Sequence, residues 1–258
     1  MSKVLYSVEE HIATVTINRP DVLNCTDYET LQQLGEITAE IALNPDVRVV
    51  IFTGAGDKAF SAGADLKERK TLTEQEVRRN VKAIREVFNA IAELPQPTIA
   101  AVNGYAFGGG FELILACDFA ISVEEAKLGL TETSWAIIPG AGGTQRLPRL
   151  IGESKAKELI FTARKLTAHE AYDWGILTRV VGRNELIQSC REFAGEMLKN
   201  GPIALRQAKY AIHYGMNADI QTGLAIEAKA YELTIPTEDR LEALQAFSEK
   251  RAPLFKGK

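Results

Sequence analysis

The segment Asn103-Gly104-Tyr105-Ala106-Phe107-Gly108-Gly109-Gly110-Phe111-Glu112-Leu113 runs through three consecutive glycines into an apolar helical stretch. Glycine-dense turns let backbone approach a ligand closely. A helix starting there aims its free N–H groups and the positive end of its dipole into the turn, which makes an anion site. Glu112 falls in the first helical turn, and helical side chains lean toward the N-terminus, so its carboxylate reaches back toward the glycines as a candidate acid or base. A structural purpose fits the same residues: a tight strand-to-helix turn needing positive φ, with Glu112 as an N3 carboxylate facing orphan N–H groups.

Two further segments have the same character. Phe60-Ser61-Ala62-Gly63-Ala64-Asp65-Leu66 combines small residues with a turn into helix and offers another backbone N–H to the same ligand; a plain loop with Asp65 capping a helix accounts for it equally. Gly129-Leu130-Thr131-Glu132-Thr133 leads into Pro139-Gly140-Ala141-Gly142-Gly143-Thr144-Gln145, placing a second carboxylate beside a second glycine-rich turn. Other recipes are missing: there is no GxGxxG fingerprint, Walker loop, HExxH pair or GxSxG elbow. His11, His169 and His213 are scattered, and His169-Glu170 reads as the surface of a helix following Thr167.

The elements that must position these segments alternate. Ala13, Val15 and Ile17 alternate with Thr14 and Thr16, the period-2 pattern of a strand with one buried face. Val47 to Phe52, Ile99 to Val102, Phe119 to Val123 and Ile176 to Val181 are short apolar runs expected as buried strands. Val77, Val81, Ile84, Phe88 and Ile91 fall on one helical stripe that Pro95 and Pro97 stop. Strands interrupted by helices indicate an α/β fold. After Val181 the pattern is helical, with Pro202 suited to a first helical turn and Thr237, Glu238 and Asp239 suited to open another. The expected division is a core over 1–189 and a helical C-terminal region over 190–258, with the Lys256-Gly257-Lys258 tail frayed.

Hydrophobic residues at 46% and charged residues at 25% are average for a folded domain, which argues against disordered and fibrous classes. Thirty Lys and Arg against 34 Asp and Glu leave a net charge of −4, so nothing draws the whole chain toward nucleic acid. Cys25, Cys117 and Cys190 are widely spaced without a CxxC pair, which points to a reducing compartment and to no metal. The opening MSKVLYSVEE has no apolar run and no stretch reaches the ~18 apolar residues of a membrane span; a cytoplasmic protein is expected.

Six ordered stretches resemble the crotonase, or enoyl-CoA hydratase/isomerase, superfamily: INRPDVLN (17–24), AFSAGADLKE (59–68), AVNGYAFGGGFELILACD (101–118), LGLTET (128–133), IPGAGGTQRLPR (138–149) and AFSEKRAPLFK (246–256). The resemblance implies a spiral of ββα units with a helical C-terminal segment, and trimers that pair into hexamers. It places a thioester carbonyl between the backbone N–H groups of Ala64 and Gly109, an oxyanion hole in which each donor lowers the barrier by roughly 3 kcal/mol. The family's hydratases flank a water with two glutamates, and Glu112 and Glu132 stand at both positions. By resemblance Glu132 gives a proton to the α-carbon while Glu112 holds and helps deprotonate the water.

The resemblance also implies a CoA cradle around Ala62, Ala64, Asp65 and Leu66, with Gly109, Phe247 and Lys250 joining it. For Lys250, a solvated charge in a Lys-Arg pair is the alternative. An acyl-CoA thioester is the expected partner, and no separate cofactor is expected because CoA is part of the substrate. Hydration of a fatty 2-enoyl-CoA is the leading reading, with 3-methylglutaconyl-CoA hydration, to which LKERKTLTEQEV and ETSWAIIPGAGGTQRLPRLIG are similar, as runner-up and enoyl-CoA isomerisation as a further alternative. Outside enzymology stand a silent scaffold and an RNA-binding protein. The RNA reading relies on a lysine comb on an early helix, and residues 27–44 contain no Lys or Arg. The basic cluster Lys67, Arg69, Lys70, Arg78, Arg79, Lys82 and Arg85 reads instead as a solvated helix face near CoA phosphates.

Overall fold

The computed structural model describes residues 2–258. The chain opens with a hairpin, β1 (Val4–Glu9) and β2 (Ile12–Ile17), joined by Glu10 and His11, both at positive φ, the conformation whose twist matches paired strands. Helix α1 (Tyr28–Leu43) follows, its first turn capped by the Asp27 carboxylate. A pattern then repeats: a long strand, a short strand and one or more helices. The first turn of the spiral is β3 (Val49–Gly54), β4 (Ala59–Ser61), α2 (Leu66–Arg69) and α3 (Glu74–Ala92). The second is β5 (Thr98–Val102), β6 (Tyr105–Phe107) and α4 (Gly109–Ala116). The third is β7 (Phe119–Val123) and β8 (Lys127–Gly129), then α5 (Gly143–Ile151) and α6 (Glu153–Thr162). After these come β9 (Leu166–Thr167), α7 (Ala168–Asp173), β10 (Arg179–Val181), α8 (Leu186–Leu198), α9 (Pro202–Gly215), α10 (Ile220–Glu232) and α11 (Glu238–Glu249).

The strands form two sheets, ordered β1-β2-β3-β5-β7-β10 and β4-β6-β8-β9, and all of the first but β10 are long. From β2 onward the larger sheet is parallel. Every residue of β3 and β5 is buried, which explains why those strands read as continuous apolar runs rather than alternating ones. This is the expected spiral of ββα units. The run Ile176–Val181 is strand only at Arg179–Val181; Ile176 and Leu177 are buried in the preceding turn.

The sheets touch tightly where the spiral turns. Asn103 follows β5, and its Nδ2 donates to the Gly54 and Gly56 carbonyls at 2.8 Å each while Oδ1 accepts from Gly54 N–H at 3.2 Å. One buried amide thereby fixes the exit of β3 against the exit of β5. Gly110 is a glycine because a Cβ there would collide with the Ser61 carbonyl of β4.

The helical C-terminal part begins with α8, which packs across β3, β5 and β7, so residue 190 lies inside a helix of the core. Pro202 occupies the first turn of α9 and Thr237 caps α11, as expected. The Lys256–Lys258 tail is not frayed: Asp239 accepts from Lys256 N–H at 2.6 Å and Gly257 N–H at 2.8 Å, and Asp239 N–H donates to the Lys258 carbonyl at 3.2 Å. Among the described residues no helix is long and apolar enough to cross a membrane.

Candidate active site

Four segments leave the C-terminal side of the sheets and converge. Gly108 precedes α4 at φ 52°, a left-handed value that glycine adopts without strain, and this starts the helix at Gly109 with its N–H groups facing the turn. The loop after β4 runs against it: a Cβ built on Gly63 would lie 3.1 Å from Gly109 N, and one built on Gly109 would lie 3.9 Å from Ala64 N. Thr26 holds that loop from outside, donating to the Gly63 carbonyl at 2.8 Å and accepting from Asp65 N–H at 3.0 Å. The flanking groups being used, neither Ala64 N–H nor Gly109 N–H donates to any described residue. Two uncommitted backbone donors therefore stand side by side.

Glu112, in the first turn of α4, is buried. Its Oε1 accepts from Ala141 N–H and Gly143 N–H, both at 2.8 Å, so the carboxylate is held by the Pro139–Gly143 turn and not by the start of its own helix. The N3-cap alternative fails on that geometry. Burial pushes its pKa above the usual carboxylate value, and the two N–H donors work against that rise by favouring the anion.

Glu132 opens a short 3-10 turn, Glu132–Trp135, after β8. Its Oε1 would lie 3.2 Å from a Cβ on Gly108, beside the uncommitted N–H pair, and its buried Oε2 has no hydrogen-bond partner. Burial and then the charge of Glu112 push its pKa up to about 7. Two carboxyl groups with environments this different, one clamped by N–H donors and one unpartnered, are chemically suited to separate acid and base duties.

The side chain of Asp65 has another occupation. It caps α2 through Lys67 N–H at 3.0 Å and Glu68 N–H at 3.3 Å, and Arg19 Nη2 bonds it at 2.9 Å. The capping alternative is thus the observed one for its carboxylate, and Arg19 and this capping hold its pKa below the usual value despite burial. Ala62 N–H donates to the Leu23 carbonyl at 3.0 Å, while Leu66 is exposed at the start of α2. Phe247 and Lys250 are not brought to the glutamates within one chain. Phe247 is 86% exposed, Lys250 ends α11 in a left-handed cap, and the chain beyond returns to Arg48 at the opposite end of β3. The basic cluster on α2 and α3 is a solvated face: Arg78 pairs with Glu74, Lys82 with Glu86, and Arg79 lies over the Tyr28 ring.

Sequence reasoning did not foresee the partners of Glu112. The glycines of Pro139–Gly143 signalled a turn, but no residue type announces that its N–H groups face a carboxylate twenty-nine residues earlier. Nor did it single out Asn103 or Arg146. Arg146 donates to the Ala141 carbonyl at 3.0 Å and to Asn89 Oδ1 at 2.8 Å.

Residues 7–258 match the family model described as enoyl-CoA hydratase/isomerase. The chain belongs to that family. Family members act on acyl-CoA thioesters, which accords with a site built from backbone donors and carboxyl groups. The chain is 54% identical over 255 residues to YngF of Bacillus subtilis, covering 98% of each. It is 48% identical over 250 residues to a mitochondrial methylglutaconyl-CoA hydratase of Homo sapiens, covering 95% of this chain and 74% of that one. A crystal structure of an enoyl-CoA hydratase from Bacillus anthracis superposes with a TM-score of 0.98 at 50% identity over 100% of both chains.

Proposed function

We propose that this family member is a hydratase, adding water across the 2,3-double bond of a 2-enoyl-CoA to give a 3-hydroxyacyl-CoA. The observation that carries the reading is the pairing of two electrostatically coupled glutamates, Glu112 buried and Glu132 half-buried, beside two uncommitted backbone donors. The thioester carbonyl accepts from Ala64 N–H and Gly109 N–H. Water held by Glu112 attacks C3 and gives its proton to that carboxylate. The C2=C3 electron pair moves toward C1, and the carbonyl oxygen gains enolate charge. The two N–H donors bind that charge more strongly than the neutral carbonyl, so they lower the barrier and not merely the substrate's energy. Glu132, protonated in a good fraction of molecules near pH 7, gives its proton to C2. An isomerase shuttles one proton and needs one such carboxyl; the second favours hydration.

No cofactor enters this scheme beyond the CoA that the substrate carries. We place the backbone of Ala62 to Leu66 and Gly109 along the CoA arm. Large apolar side chains left open on α9 to α11, among them Ile212, Met216, Ile220 and Tyr231, support assembly of several copies, a trimer or a pair of trimers. A narrower reading, 3-methylglutaconyl-CoA hydration, is favoured by the identity to the human methylglutaconyl-CoA hydratase. Incubation with crotonyl-CoA and with 3-methylglutaconyl-CoA, followed by mass analysis of the thioesters, tests both. A gain of one water identifies a hydratase and the faster substrate names its class; recovery of both thioesters unchanged contradicts hydration.

A further inference from the structure

The turn that clamps Glu112 is itself braced from behind. Facing inward are Ala141 N–H and Gly143 N–H, both bonded to Glu112 Oε1. Facing outward are three carbonyls, and each is taken. Gly140 accepts from Arg85 Nε at 3.2 Å, Ala141 accepts from Arg146 Nη1 at 3.0 Å, and Gly142 accepts from Gln145 and Arg146 N–H at 2.9 and 2.8 Å. In a planar trans peptide the C=O and the following N–H point oppositely, so the donors on the Gly140 and Gly142 carbonyls orient the Ala141 and Gly143 N–H groups, and the Ala141 carbonyl belongs to the peptide that links those two units. Arg146 is the member of this set that does most. It holds the central carbonyl between the two donors, ties the turn to Asn89 of α3 at 2.8 Å, and is half-buried, whereas Arg85 is exposed.

We propose that Arg146 is a positioning residue for Glu112, holding the Ala141–Gly143 donors in place and supplying the nearest positive charge to the carboxylate. The inference rests on the reading of Glu112 as the group that holds and deprotonates water. A base buried among α4, β8 and the turn would otherwise take up a proton and lose its function. The charged and titratable groups around the pair are few. Glu132 faces Glu112 from the 3-10 turn; Glu93 at the C-terminal cap of α3 and Cys117 after α4 face Arg146. Burial keeps the Cys117 thiol protonated, its pKa pushed up to about 12, so Glu93 is the competing anion. The guanidinium reaches Glu112 through residue 141, whose carbonyl accepts from Arg146 Nη1 and whose N–H donates to Glu112 Oε1. Losing that charge removes an influence that favours the Glu112 anion, so the carboxyl pKa rises.

The test is the pH dependence of kcat/KM for crotonyl-CoA hydration in wild type, Arg146→Met, Arg146→Lys and Glu112→Gln, with Arg149→Met as a control on the same helix. In Arg146→Met the acid limb moves to higher pH, kcat falls about tenfold, KM changes little, and Arg146→Lys recovers part of the limb's position. Arg149→Met behaves as wild type. An acid limb unmoved in both Arg146 variants overturns the proposal, whether kcat falls in step with melting temperature or does not fall at all. Should Glu112→Gln retain wild-type activity, the reading of Glu112 itself fails, a result distinct from failure of Arg146.

Discussion

Glu132→Gln separates the stability of this site from its chemistry. The carboxyl is held at about 7 in the folded chain against 4.5 for an unperturbed glutamate. As pH rises through that window the unfolded chain releases its proton first, so the unfolded state binds fewer protons and stability falls with pH. The loss begins near pH 4.5 and levels off above pH 7 at about 3 kcal/mol, taking 1.36 kcal/mol per pH unit. Glutamine resembles the protonated acid and cannot titrate. Its amide beside the unpartnered Oε2 position adds a fixed cost of about 1–3 kcal/mol, the same at every pH. Carboxylates other than Glu112 titrate alike in both proteins and cancel, and the repulsion between Glu112 and Glu132 is already counted in the raised pKa of Glu132. The assay is urea unfolding of wild type and Glu132→Gln at pH 5 and pH 8, at one protein concentration. The variant's stability relative to wild type improves by about 2.5 kcal/mol between the two pH values while its activity is lost. A stability difference equal at both pH values would refute the argument that burial and Glu112 strain this carboxyl.

Three further outcomes follow from the same geometry. In wild type, kcat/KM declines above about pH 7 as Glu132 loses the proton it must give; a rate still rising from pH 7 to 9 counts against Glu132 as the acid. Ala64→Pro removes an N–H that bonds nothing in the protein while sparing the flanking Gly63 and Asp65 bonds to Thr26, so kcat drops about 10²–10³-fold with the circular dichroism spectrum intact. Asp239→Ala leaves Lys256 and Gly257 N–H without their acceptor; stability falls by about 1–3 kcal/mol and carboxypeptidase trims the C-terminus faster than in wild type.

Much of the fold was legible because its elements obey local rules. The stripe from Val77 to Ile91 became α3, the Thr237 and Pro202 signals opened helices where expected, and apolar runs in a parallel sheet became β3, β5 and β7. What periodicity could not supply was the winding, since it says nothing of which short strand joins which sheet; that came from resemblance. Among site residues, the glycines near Gly109 announced a turn, but the distinction between an N3 cap and a clamped base depends on Ala141 and Gly143, which approach Glu112 only in three dimensions. The tail was misread for the same reason. Lys-Gly-Lys carries every local mark of fraying, and the buried Asp239 that holds it lies seventeen residues earlier than Lys256.

Whether Glu112 and Glu132 act as a pair is measured most directly by the loss of enoyl-thioester absorbance from crotonyl-CoA with wild type, Glu112→Gln, Glu132→Gln and the double variant. If they work in one step, wild type turns over, each single substitution slows it by about 10²-fold or more, and the double variant is scarcely slower than the worse single. Either single variant staying within a few-fold of wild type, or losses that simply multiply in the double variant, would contradict paired acid–base hydration.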